Sequence, residues 1–296
     1  MFSQFFGSYL FNTGLVTAKD LTKAFEDKKN TRMRLGVLAI NAGLMTADQV
    51  EHVNVAQQSV DKRFGDLAVE LGYITEENVE KLLSQQPTDY LLLGQTLVNN
   101  GVLTSAQFEK AINDYKKKYM LSDEDITKNQ VGKMSKLISV FYHFGTAEDA
   151  RISTDYITML LKNIIRFIGD DFTPLESFVV REFDAKYLVR QDIKGEHYNG
   201  ITCIAADKEE YIELAQRFAK EKFSDVDDFV HATVGAFLNV VNGLFVVNES
   251  NENGLELTMT PQEVITDSKV KFESAAFCIP VAFSFGEVDF IISSNI

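Results

Sequence analysis

Apolar positions in the first third of the chain recur with a period of 29 residues. Glycines stand at 7, 36, 65 and 94 and again at 14, 43, 72 and 101, with threonines at 17, 46, 75 and 104. Four places after each threonine comes an apolar residue: Leu21, Val50, Val79 and Phe108. The pattern predicts a helix-turn-helix in every unit. A short apolar helix stops at the second glycine, the residue type that takes the left-handed conformation cheaply. Two apolar residues then lead to the threonine, a good N-cap for the next helix. Thr46 with Gln49, and Thr104 with Gln107, have the spacing of capping boxes. Such a unit cannot cover its own apolar face, so four in register predict an all-α helical-repeat domain over residues 1–118.

Residues 119–150 read as a linker. Lys116–Lys136 is polar and charge-rich, and Leu137–Phe144 fits either a strand or a helix end. From Thr154 the period changes. Tyr156–Ile168 has helical apolar spacing and ends at Gly169. Strand-like runs follow at Ser177–Phe183, Ala185–Arg190 and Gly200–Ala206. Helices are expected over Lys208–Lys222 and Val226–Val246, then strands near Gly254–Thr260, Glu273–Ala282 and Val288–Ser293. Helices interleaved with antiparallel-looking strands predict an α+β domain over 151–296, and so a multidomain chain.

A length of 296 residues agrees with two domains, and 45% hydrophobic with 24% charged residues is ordinary for a globular protein. The formal charge of −14 is uneven: 13 basic and 14 acidic residues lie in 1–118, so nearly all the acidity belongs to the second part. That charge argues against nucleic acid or an anionic membrane surface as partner, since both need a basic footprint. Phe229–Val247 is the most apolar stretch, but His231, Asn239 and Asn242 interrupt it, so no membrane insertion is expected. The start, MFSQFFGSYL, lacks the positive region of a secretory signal, which points to the cytoplasm. Cys203 and Cys278 sit in apolar runs and read as packed thiols. His52, His143, His197 and His231 have no metal-ligand spacing, so neither a metal nor a required cofactor is expected.

The two central repeats carry something the outer ones lack. Arg34-Leu35-Gly36 is followed 23 residues after its arginine by Gln57, and Arg63-Phe64-Gly65 likewise by Gln86. Five residues, Gln58–Lys62, separate the motifs, while the outer repeats have Phe5 and Leu92 in place of the arginine. This tandem resembles the N-terminal domain of type II secretion and type IV pilus assembly ATPases, the MshE-N type, whose paired motifs bind cyclic di-GMP. The resemblance implies that ligand at Arg34, Leu35, Gly36, Gln57, Arg63, Phe64, Gly65 and Gln86. Arginine can donate two bonds to a guanine edge and stack on the base, and glycine admits close approach. Ala39, Ala68, Phe64 and Asn54 depart from the motif. A nucleotide-binding G-x-x-x-x-G-K-[ST] loop is absent from the sequence.

The second part resembles the CheX/CheC/FliY chemotaxis phosphatases, through Asn239-x-x-x-Gly243 on its long helix, Thr260-Pro261 after the next strand, and the order of elements. The family signature is Glu-x-x-Asn. Its glutamate engages a lysine of a response-regulator receiver domain and its asparagine orients the attacking water. Here Asn239 aligns with the asparagine, whereas Ala236 stands at the glutamate. The resemblances together imply a cyclic di-GMP sensor with a degenerate, non-catalytic, protein-binding output domain. An active aspartyl-phosphate phosphatase and a structural adaptor without small-molecule ligand remain the alternatives. The expected partners are a receiver domain, a motility or pilus protein, or a second copy of the chain.

Overall fold

The computed structural model describes residues 1–84, 88–122, 131–144, 147–196 and 198–295. The chain divides into two compact units after Lys133. In the first, among the described residues, each 29-residue repeat forms two helices. These are α1 (Phe2–Asn12) and α2 (Ala18–Lys28), α3 (Leu35–Asn41) and α4 (Ala47–Gln57), α5 (Phe64–Glu70) and α6 (Glu76–Ser84), and α7 (Asp89–Asn99) and α8 (Ser105–Lys118).

The two glycines of a repeat have different tasks. Gly14, Gly43, Gly72 and Gly101 have φ between +65° and +73° and turn the chain out of the first helix, where any side chain would be strained. The other set sits inside helices at crossings. A β-carbon on Gly36 or Gly65 would lie 2.6 or 3.0 Å from Val50 or Val79, and one on Gly94 only 2.0 Å from the Phe108 ring. The threonines cap as expected, with capping boxes at Thr46/Gln49 and Thr104/Gln107 and a further one at Thr17/Asp20. Repeats one and four share the apolar core. The Phe6 ring packs against Tyr90, Phe108 and Tyr115 at 5.2–6.4 Å, and the Tyr115 hydroxyl donates to the Phe2 carbonyl.

The expected linker is partly helical: α9 (Val131–Tyr142) buries Met134, Leu137, Ile138, Phe141 and Tyr142, one continuous helical face. This resolves Leu137–Phe144 as mostly helix; residues 123–130 and 145–146 lie outside the described residues. Next comes α10 (Ala147–Asn163), which runs on as a π-helical turn to Ile168. The rest is β1 (Phe172–Pro174), β2 (Phe178–Gly195), β3 (Asn199–Ala206), α11 (Lys208–Ala219), α12 (Asp228–Asn253), β4 (Leu257–Met259), β5 (Glu263–Phe283) and β6 (Gly286–Asn295).

Three expectations need correction. Ser177–Phe183 and Ala185–Arg190 form one strand, β2. The strand expected at Glu273–Ala282 is only the end of β5, and the helix expected to stop at Val246 continues to Asn253. Much of the added length is polar and solvent-facing, although Glu249, Val270 and Phe272 are buried. The first half of β5 pairs with residues 182–190 of β2, with Lys269 bridging Glu182 at 3.1 Å and Asp184 at 3.6 Å, so charged residues interrupt the apolar pattern until Val270 and Phe272 alternate inward.

The sheet is antiparallel, in the order β1-β5-β6-β3-β2-β4, and β2 also pairs with β5, which closes a ring of β5, β6, β3 and β2. Leu188, Cys203, Ala205, Val270, Phe272, Cys278 and Ile291 cluster within it. Alternate residues of β2 face the other way, so Val189 meets Gly235 of α12. That outward face, with α10, α11 and α12 against it, carries the candidate site.

Candidate functional site

α12 starts where Asp227 accepts from the Phe229 and Val230 amides at 3.1 and 2.9 Å, and it ends at Gly254 with φ +67°. By length and composition it could cross a membrane, but it is packed as a core helix, with Val230, Val234, Phe237, Leu238, Val241 and Phe245 buried. Its other face is open. Phe229, Ala232, Ala236, Asn239, Leu244 and Val247 are exposed, and Ala236 and Asn239, three apart, lie side by side. Asn242 is fully buried, so Asn239 is the asparagine of the pair that reaches the surface, and Ala236 puts a methyl group beside it.

A chain of buried amides lies beneath Asn239. Gln191 on β2 donates through Nε2 to the Asn239 Oδ1 and to the Thr260 carbonyl, both at 2.9 Å. Its Oε1 accepts from Asn242 Nδ2 at 2.9 Å, and Asn242 also donates to the Thr202 hydroxyl at 2.8 Å. The Asn242 Oδ1 accepts from the Tyr156 hydroxyl of α10 at 2.8 Å. Burial pushes the Tyr156 phenol well above its usual range, so it stays protonated and donates. Thr260 is held in turn, its amide donating to the Asp192 carbonyl and its hydroxyl accepting from the Asp192 amide, at 2.9 and 3.0 Å. Gln262 donates to the Gly235 carbonyl at 2.9 Å and so ties the Thr260-Pro261 turn to α12.

Two acidic groups next to the start of α12 are engaged elsewhere. Asp225 pairs with Lys208 at 2.7 Å, Asp227 caps the helix, and on β2 Asp192 holds Arg190. Of the histidines, His52 bonds Tyr73 at 2.6 Å and His231 bonds Tyr211 at 3.1 Å; His197 lies outside the described residues. Burial pushes the Cys203 thiol up to about 12 and the Cys278 thiol higher, so neither is a ready nucleophile. Gln191 and Tyr156 carry no motif. Gln191 could have been found as the one polar residue among Val189 and Ile193 on a single strand face.

In the repeat unit a groove of about 690 Å³, a size that suits a small ligand, opens beside α5 and α6. Leu35, Arg63, Phe64 and Gly65 line it together with Val69, Val79, Leu83 and the carboxylates Asp66, Glu76 and Glu80. Phe64 reaches over Gly36 and Leu35 over Gly65, so the two motifs interlock reciprocally. Arg34 stands at the N-cap position of α3 with an exposed side chain that makes no capping bond, and Gln57 donates to the Lys62 carbonyl at 2.9 Å, closing the spacer between the motifs. Gln86 lies outside the described residues. In the outer pair Phe5, at the arginine position, is fully buried.

Residues 187–285 match the family model of the chemotaxis phosphatase CheX, and the second unit is CheX-like. Among solved structures, the chain is similar to a CheX from Desulfovibrio desulfuricans at 17% identity, covering 49% of this chain and 99% of that one, with a TM-score of 0.43. A CheC-like superfamily protein from Shewanella sp. PV-4 shows 16% identity over 49% and 97% of the two chains, with a TM-score of 0.44. The CheX of a CheX–CheY–BeF3–Mg complex from Borrelia burgdorferi shows 17% identity over 49% and 98%, also at 0.44. No curated protein matches the chain.

Proposed function

We propose that the CheX-like unit docks the receiver domain of a response regulator on the open face of α12 without efficiently hydrolysing its phosphoryl group. The observation that carries this reading is the pairing of a held, exposed Asn239 with the methyl of Ala236. Small residues at Ala232, Ala236 and Gly243 let a partner surface come close, and Phe229 and Val247, each 57% exposed, offer apolar contact on either side. A methyl cannot grip a lysine, so the partner binds without the ion pair that would place it for water attack. Calorimetry with a receiver domain, with and without beryllofluoride, tests docking. Binding should be measurable and should vanish in Ala232→Trp; equal affinity in that variant would move the interface elsewhere.

A second reading, cyclic di-GMP at the repeat unit, is supported by the groove that gathers Leu35 of the first motif with Arg63, Phe64 and Gly65 of the second. The carboxylates on its rim oppose a dianionic ligand, so Arg63 has to supply the attraction. Titration should give binding that Arg63→Ala weakens about ten- to a hundred-fold. No heat at millimolar ligand ends this reading.

A further inference from the structure

We infer that Gln191 is the positioning residue of the α12 site, turning Asn239 so that it meets a partner through N–H donors. The orientation is set by atoms that have no choice. The Thr260 carbonyl can only accept, so the Gln191 NH2 must face it. The Gln191 Oε1 then faces Asn242, whose NH2 it accepts, and the Asn242 oxygen takes the Tyr156 proton. With both ends of Gln191 fixed, its second N–H goes to the Asn239 Oδ1. Asn239 therefore turns its oxygen inward and its NH2 outward. The Gln191 side chain is buried, at 3% exposure, and Asn242 is fully buried, so the low local dielectric strengthens this chain of bonds.

The functional consequence rests on the proposal that a receiver docks on α12. A donor pair beside a methyl group suits an oxygen that only accepts, as in a phosphoryl group. It suits catalysis less well, because a water held by an N–H gives up a lone pair, whereas one held through its hydrogens keeps both for attack. The geometry thus favours recognising the phosphorylated state over discharging it. Hydrogen bonds to a charged oxygen of this kind correspond to a preference of about ten- to a hundred-fold for the activated receiver.

Two arms test this on the full chain. Side-chain amide NMR needs no partner. Gln191 and Asn242 NH2 groups should exchange slowly with solvent, and Gln191→Leu should move the Asn239 NH2 pair to the shifts of a free amide. An unchanged Asn239 pair would overturn the positioning role, whether or not any receiver binds. The second arm measures affinity for a receiver domain with and without beryllofluoride. The wild type should prefer the beryllofluoride form, and Gln191→Leu should lose that preference. Should that variant fail to fold, Asn239→Asp, at an exposed position, replaces the outward donor with an acceptor and should reverse the preference. A preference preserved in Asn239→Asp would contradict donor recognition, whereas no binding to either form would remove the receiver reading and leave the NMR result to decide the positioning.

Discussion

Glycine at the helix crossings and the amides under Asn239 are the residues on which the rest depends. Gly94→Ala would drive a methyl into the buried Phe108 ring, so a loss of about 1–3 kcal/mol is expected in denaturant unfolding of the repeat unit. The same change at Gly65, where the contact is 3.0 Å with a valine, should cost less. Asn242→Leu would strand the Tyr156 hydroxyl and the Gln191 Oε1, about 1–3 kcal/mol for each unsatisfied group. Adding Tyr156→Phe should recover part of that loss in a double-mutant cycle, and strict additivity would show the two are not linked. Asp289 offers a pH test. Burial raises its carboxyl above the usual range, so the folded state holds the proton more tightly than the unfolded one. Stability should therefore fall as pH rises from the ordinary carboxylate range through the raised value, and Asp289→Asn should flatten that slope in thermal melts.

At the scale of elements, what the sequence reveals depends on how strictly physics restricts a position. Gly43 and Gly72 are plain because a left-handed turn admits little else, and the constant offset of fourteen from a crossing glycine to its valine recurs with the repeat. The second unit's core strands were readable where a short apolar run is buried on both faces, as in β3. The first half of β5 was not, because ions such as Lys269 interrupt it and only Val270 and Phe272 alternate into the core. The site was half readable: Ala236 and Asn239 stand three apart on a helix, whereas Gln191 comes from a strand 48 residues away and joins them only through the fold. Asn242 could not be separated from Asn239 by spacing, and burial alone distinguishes them. The cap of α12 belongs to this scale too. Asp227→Ala should cost about 1 kcal/mol and increase amide exchange in the first turn, at Phe229 and Val230.

Across the whole molecule, two units of different charge and architecture share one chain, and a sensor–output arrangement requires that a ligand on one change the other. If cyclic di-GMP occupies the groove at Arg63, hydrogen exchange should change there and also in α9 and α12; changes confined to the first unit would mean two independent modules. Docking and phosphatase readings of the second unit both place a receiver on α12 and differ only in the fate of its phosphoryl group. The decay of a phosphorylated receiver, measured with and without excess full-length protein that binds it, separates them most directly. Docking without discharge predicts an unchanged decay rate with the wild type. Acceleration by the wild type that disappears in Asn239→Ala would contradict it.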